Sequence, residues 1–117
     1  MEGRKVALFA FNGDPMCFAH VLLNALDMKE KGFKVKVVIE GTATTQVAEL
    51  TDANKPFANL YKRVLDSGLI DCVCEACSNQ TASQESALKQ GLELCNEMSG
   101  HPSVGRYIEN GYEVLLF

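Results

Sequence analysis

Apolar positions follow two rhythms along this chain, continuous short runs and stripes recurring every three or four residues. Lys5-Val6-Ala7-Leu8-Phe9-Ala10-Phe11 is unbroken after its first residue, as expected of a strand covered on both faces. Asn12-Gly13-Asp14-Pro15 then supplies a turn and a helix start. Asp14 can accept from the first free N–H groups, and Pro15 suits the first helical position, where its missing N–H costs nothing. Phe18, Val21, Leu22, Ala25 and Met28 line one helical face, which Gly32 ends. Val35, Val37, Val38 and Ile39 predict a second buried strand, closed by Gly41.

Residues 44–68 are helical in pattern but interrupted. Val47 and Leu50 begin a short helix, Pro56 cannot sit inside one, and Phe57, Leu60, Val64 and Leu65 stripe a second helix that Gly68 stops. Residues 69–76 read as a third strand and residues 83–90 as a short helix with Gly91 as its stop. Residues 92–98 fit strand or helix. Residues 102–110 predict a final helix ended by Gly111, and residues 112–117 a last strand.

Strands alternating with helices imply a parallel sheet between helical layers, joined by right-handed crossovers. The expectation is a single α/β domain over residues 1–117, three α/β/α layers around a mainly parallel sheet of four or five strands. Ligands in such sheets collect beyond the carboxyl ends of the strands. That edge falls in segments 12–17, 41–45, 77–83 and 99–103.

Composition removes several classes of function. The 117 residues are 47% hydrophobic and 22% charged, ordinary for a globular chain. A balance of 11 basic against 15 acidic residues gives a formal charge of −4. With no basic run, a nucleic-acid partner is not expected. The run from Val6 to Phe11 is too short to cross a membrane or act as a signal peptide, so a cytoplasmic protein without membrane association is expected. The first loop lacks both glycine-rich phosphate patterns, and Asp14 would repel an anion there. Thr42, Thr44 and Thr45 offer hydroxyls beside Gly41, a position where capping is the commoner role.

Five cysteines stand at 17, 72, 74, 77 and 95. In a reducing compartment such an odd set stays free, so no disulfide scaffold is expected. Strand alternation puts Cys72 and Cys74 on one face, about 6.6 Å apart, with Asp71, Val73 and Glu75 on the other. That spacing suits packing better than a bridge or chelate. Cys-x-Cys-x-x-Cys also lacks the second Cys-x-x-Cys pair of a zinc ribbon, so no metal is expected. Cys95 reads as a packing residue. Cys77 lies where the third strand should give way to a loop, at the functional edge. Cys17, near the first helix start, either packs or approaches Cys77 as a resolving thiol. His20 and His101 are lone histidines, a pattern more often structural or solvated than catalytic.

The segment Val73-Cys74-Glu75-Ala76-Cys77-Ser78-Asn79-Gln80-Thr81 resembles the strand-end motif of DsrE/DsrF-like proteins. The stretch from Gly100-His101-Pro102 to Asn110-Gly111-Tyr112 is similar to that family's closing helix, Gly-Tyr turn and last strand. The resemblance implies a compact α/β fold assembled as trimers or hexamers. It also implies a sulfur carrier that holds sulfane sulfur as a persulfide on the cysteine matching Cys77. Sulfur donor and acceptor proteins would be its partners, and no cofactor is needed. Asn12, Gly13 and Cys17 from the first loop, Gly41 and Thr42 from the second, and Ser78 and Asn79 would complete the pocket. Residues 78–86 hold no Lys or Arg, unlike the best-known relay subunits. A small-ligand binding or regulatory module, with Cys77 as lining only, stays open beside the carrier. So does an oligomer that buries exposed Phe57 and Tyr61 between subunits.

Overall fold

The computed structural model describes residues 3–117 and forms a three-layer α/β domain around five parallel strands. β1 (Lys5–Ala10) is followed by α1 (Pro15–Glu30), β2 (Lys34–Ile39), α2 (Thr44–Glu49) and α3 (Ala58–Asp66). Then come β3 (Ile70–Cys74), α4 (Glu75–Gln80), α5 (Gln84–Lys89), β4 (Leu94–Cys95), α6 (Val104–Glu109) and β5 (Glu113–Leu116). The strand order is β4-β3-β2-β1-β5. β1 therefore pairs with β2 on one side and with the far-downstream β5 on the other.

The helix starts obey local chemistry. Asp14 caps α1, its carboxylate accepting from Met16 N–H at 2.9 Å and Cys17 N–H at 3.2 Å. Phe18, Val21, Leu22 and Ala25 of α1 pack with Val47, Tyr61, Val64 and Ala87 of α2, α3 and α5 over Leu8, Val37, Ile39 and Val73. Burying a side chain the size of Phe18 removes it from water with a gain of about 2–3 kcal/mol. The opposite face carries Ala7, Phe9, Val38, Cys72 and Cys95 under Tyr107 of α6 and Tyr112. Among the helices, α6 alone supplies buried residues to that smaller core.

Three features differ from the sequence reading. β3 stops at Cys74 and the chain turns at once into α4, so Cys77 sits in a helical first turn rather than in a loop. β3 also carries a bulge, since Val37 pairs with Ile70 while Val38 pairs with Cys72. The extra residue, Asp71, shares a face with Cys72. Both reach the Tyr107 hydroxyl, which donates to Asp71 Oδ2 at 2.5 Å and lies 3.5 Å from Cys72 Sγ. Two residues facing the same way are what a bulge produces. Finally, Cys72 and Cys95 are joined as a disulfide between β3 and β4, with Cα atoms 5.7 Å apart. The expectation of packing without bridges rests on an odd set of thiols in a reducing compartment and on the spacing of Cys72 and Cys74, neither of which registers a strand pairing alongside β3. The partner instead comes from a strand 23 residues downstream that lies alongside.

Candidate functional site

At the carboxyl edge of the sheet, four side chains from three segments converge. Glu40 follows the last residue of β2 in extended conformation, its N–H held by Ala10 O at 2.8 Å. Gly41 then turns at φ +61, where a Cβ would stand 2.8 Å from Phe11 O, so the close passage requires glycine. Glu40 is only 8% exposed as a residue. Burial raises its carboxyl from the ordinary 4.5 to about 7, and no described residue donates a hydrogen bond to it.

Cys74 ends β3 and caps α4, its sulfur accepting the Cys77 N–H at 3.3 Å. It is fully buried. Burial pushes its thiol up to about 12, reinforced by the adjacent Cys77 and Glu40. Cys77 is half-buried and free. His101 faces both sulfurs, with Nδ1 3.2 Å from Cys74 Sγ and 3.7 Å from Cys77 Sγ. One ligand-type atom from each of Glu40, Cys74, Cys77 and His101 lies within 4.8 Å of all the others.

His101 is aimed by a tight turn. Met98 and His101 exchange backbone hydrogen bonds at 2.9 and 3.0 Å around Ser99 and Gly100, whose φ values of +51 and +90 fit a type I′ turn. The Gly100 carbonyl accepts the Ala76 N–H at 2.9 Å, which docks the turn on the first turn of α4. Farther along, Glu97 accepts from Ser103 N–H and Arg106 Nε, both at 3.1 Å, and so holds the same loop to α6.

Cys77 and His101 open onto a shallow cleft of about 370 Å³ that Ala76, Asn79 and Gln80 complete. A second hollow of similar size lies under Leu50, Ala58, Tyr61 and Leu65. There the Tyr61 hydroxyl is already satisfied by Gln90 Oε1 at 2.6 Å, and among the described residues no thiol or imidazole lines it.

The residues singled out in the sequence divide accordingly. Cys77 and Asn79 line the cleft. Ser78 does not, because it is fully buried and donates back to Glu75 O. Gly13 and Thr42 stitch two loops together, the Gly13 N–H meeting Thr42 Oγ1 at 2.9 Å. Asn12 accepts the Asp14 N–H at 2.8 Å within its own turn. Thr44 sits beneath α4, 2.7 Å from Thr81 Oγ1, and Thr45 donates to Thr42 O. Cys17 is exposed on α1 and outside the four-residue cluster. Tyr61, expected on the surface, is 2% exposed within the single chain, and Phe57 is half-buried. Nothing in the sequence joins Glu40, Cys74 and His101 into a group. The sequence signal for Glu40 is a carboxylate placed between an apolar strand and Gly41.

The chain is similar to the uncharacterized protein MJ0733 of Methanocaldococcus jannaschii, with 35% identity over 96 residues, 82% of this chain and 76% of that protein. An uncharacterized protein of Archaeoglobus fulgidus matches at 43% over 44 residues, 38% of this chain and 72% of that one. Among solved structures, the conserved protein of unknown function BT1422 from Bacteroides thetaiotaomicron superposes with a TM-score of 0.70 over 97% of this chain and 94% of its own. At 18% identity that likeness speaks for the fold. No family model matches the chain.

Proposed function

We propose that this chain, which belongs to the family of the Methanocaldococcus jannaschii protein MJ0733, is a sulfur carrier acting through Cys77. The observation that supports this reading is the placement of one half-buried thiol in an open cleft beside an imidazole, 3.7 Å away. The other cysteines are bridged, buried or on α1 outside the cleft.

The transfer balances without a cofactor. Cys77 gives its proton to His101, and the thiolate attacks the terminal sulfur of a donor persulfide. The donor S–S bond breaks, a Cys77 persulfide forms, and the donor leaves as a thiol with the returned proton. An acceptor thiolate later attacks that terminal sulfur and regenerates Cys77. Cys74 is the nearest nucleophile able to spoil this cycle, by attacking the inner sulfur and expelling sulfide. A thiol held near 12 stays protonated at neutral pH and therefore inert.

Incubating the reduced, chelator-treated protein with glutathione persulfide should add the mass of one sulfur atom. Cys77→Ser should abolish the gain and Cys17→Ser should keep it. No added mass in the wild type overturns the proposal. Stabilisation by a metabolite that survives Cys77→Ser would support the ligand-binding module instead. The carrier reading also expects a trimer or hexamer and protein donors and acceptors of sulfur. Exposed Leu116, paired in register with buried Phe9, and neighbouring Phe11 offer apolar surface for self-association. Strictly monomeric light scattering would remove the oligomer.

A further inference from the structure

We infer that Glu40, Cys74, Cys77 and His101 form a four-ligand site for a zinc-class divalent metal ion. The inference does not depend on sulfur transfer. Two thiols, an imidazole and a carboxylate are a donor set suited to zinc, and they disfavour magnesium or calcium, which take oxygen ligands. Tetrahedral zinc with bonds of about 2.3 Å to sulfur and 2.0 Å to nitrogen sets its sulfur and nitrogen ligands about 3.6 Å apart. The two sulfur-to-Nδ1 distances, 3.2 and 3.7 Å, bracket that value.

A second observation points the same way. Glu40 is 8% exposed as a residue, no described residue donates a hydrogen bond to its carboxylate, and one of its oxygens lies within 4.8 Å of the other three donor atoms. A largely desolvated carboxylate with no protein donor favours a nearby positive charge, and a cation held by the facing thiolates and imidazole supplies one. Binding would displace the thiol protons to solvent and tie the ends of β2 and β3 to the turn after β4. Coordination of Cys77 would also withdraw it from sulfur donors, so metal and persulfide should exclude one another.

The test uses the full chain, reduced with a phosphine and stripped of metal. Titration with cobalt(II) should reach one equivalent and give the visible bands of tetrahedral coordination with thiolate-to-cobalt charge transfer. Zinc should displace the cobalt and raise the thermal midpoint. The near-isosteric Glu40→Gln, and His101→Ala, should each weaken binding at least about tenfold. Cys77→Ser should reduce the charge-transfer intensity, while Cys17→Ser changes nothing. Binding no tighter than in a Cys74→Ser/Cys77→Ser double variant overturns the site. So does binding that survives both Glu40→Gln and His101→Ala unchanged, which would mean a thiol pair alone. Glutathione persulfide loading, measured separately on chelated protein, tells failure of the metal site from failure of the carrier.

Discussion

Replacing Gly100 by alanine probes how the turn after β4 positions the cluster. Gly100 sits at φ +90, and an added Cβ would lie 3.1 Å from Ala76 Cβ. The left-handed backbone costs an alanine about 1–2 kcal/mol. Restriction of the unfolded chain returns about 0.4–1 kcal/mol, and the tight Ala76 contact adds its own penalty. A net loss of about 1–2 kcal/mol is expected, read as a lower urea midpoint at constant slope in metal-free protein. Relief of the contact must also shift the carbonyl that accepts Ala76 N–H, and His101 with it, so cobalt affinity should fall as well. Gly91→Ala separates the two effects. Gly91 has φ +80 but nothing within 4 Å of its would-be Cβ, so it should lose stability and keep cobalt binding. Ser99→Asn, at φ +51, should gain a few tenths of a kcal/mol because Asn tolerates that region. Unchanged stability in Gly100→Ala, or equal loss of cobalt affinity in both alanine variants, would refute the reasoning.

Burial raises the Glu40 carboxyl from 4.5 to about 7, so metal-free folded protein holds its proton where the unfolded chain has released it. The stability this contributes is complete below pH 4.5 and lost as pH climbs through 7, about 1–2 kcal/mol after allowance for solvent screening. Urea midpoints across that window should flatten in Glu40→Gln relative to wild type, and parallel curves would count against the buried carboxyl. Tyr107→Phe removes the donor to Asp71 at the bulge and should cost about 1–2 kcal/mol. A loss below about 0.3 kcal/mol would deny that hydrogen bond its structural role.

Most of the scaffold was legible because its signals are local. The unbroken run of β1, the stripe of α1 and the pairing of Asp14 with Pro15 each act within a few residues. What escaped depends on distance along the chain or on very short elements. α4 has six residues, too few for a periodic stripe, and its cap is a cysteine, so an apolar stretch through Ala76 passed for strand. β4 has two residues, and its place beside β3 exists only in the folded sheet. The bridge from Cys72 to Cys95 could not be read without that adjacency. The bulge at Asp71 likewise breaks an alternation that the sequence itself obeys. Cys77 was found because it lies beside the strand end. Glu40 and His101 were not, because a lone carboxylate and a lone imidazole become chemistry only when three loops share one edge.

The placement of β1 has a consequence for synthesis on the ribosome. Its partner on one side is β2, available early, but its other neighbour is β5. Phe11 N–H reaches Phe117 O, and Phe117 N–H reaches Phe9 O, both at 2.8 Å. A nascent chain therefore carries β1 with one bare flank until residue 117 has cleared the exit tunnel. Through that interval the apolar strand is open to pairing with other chains.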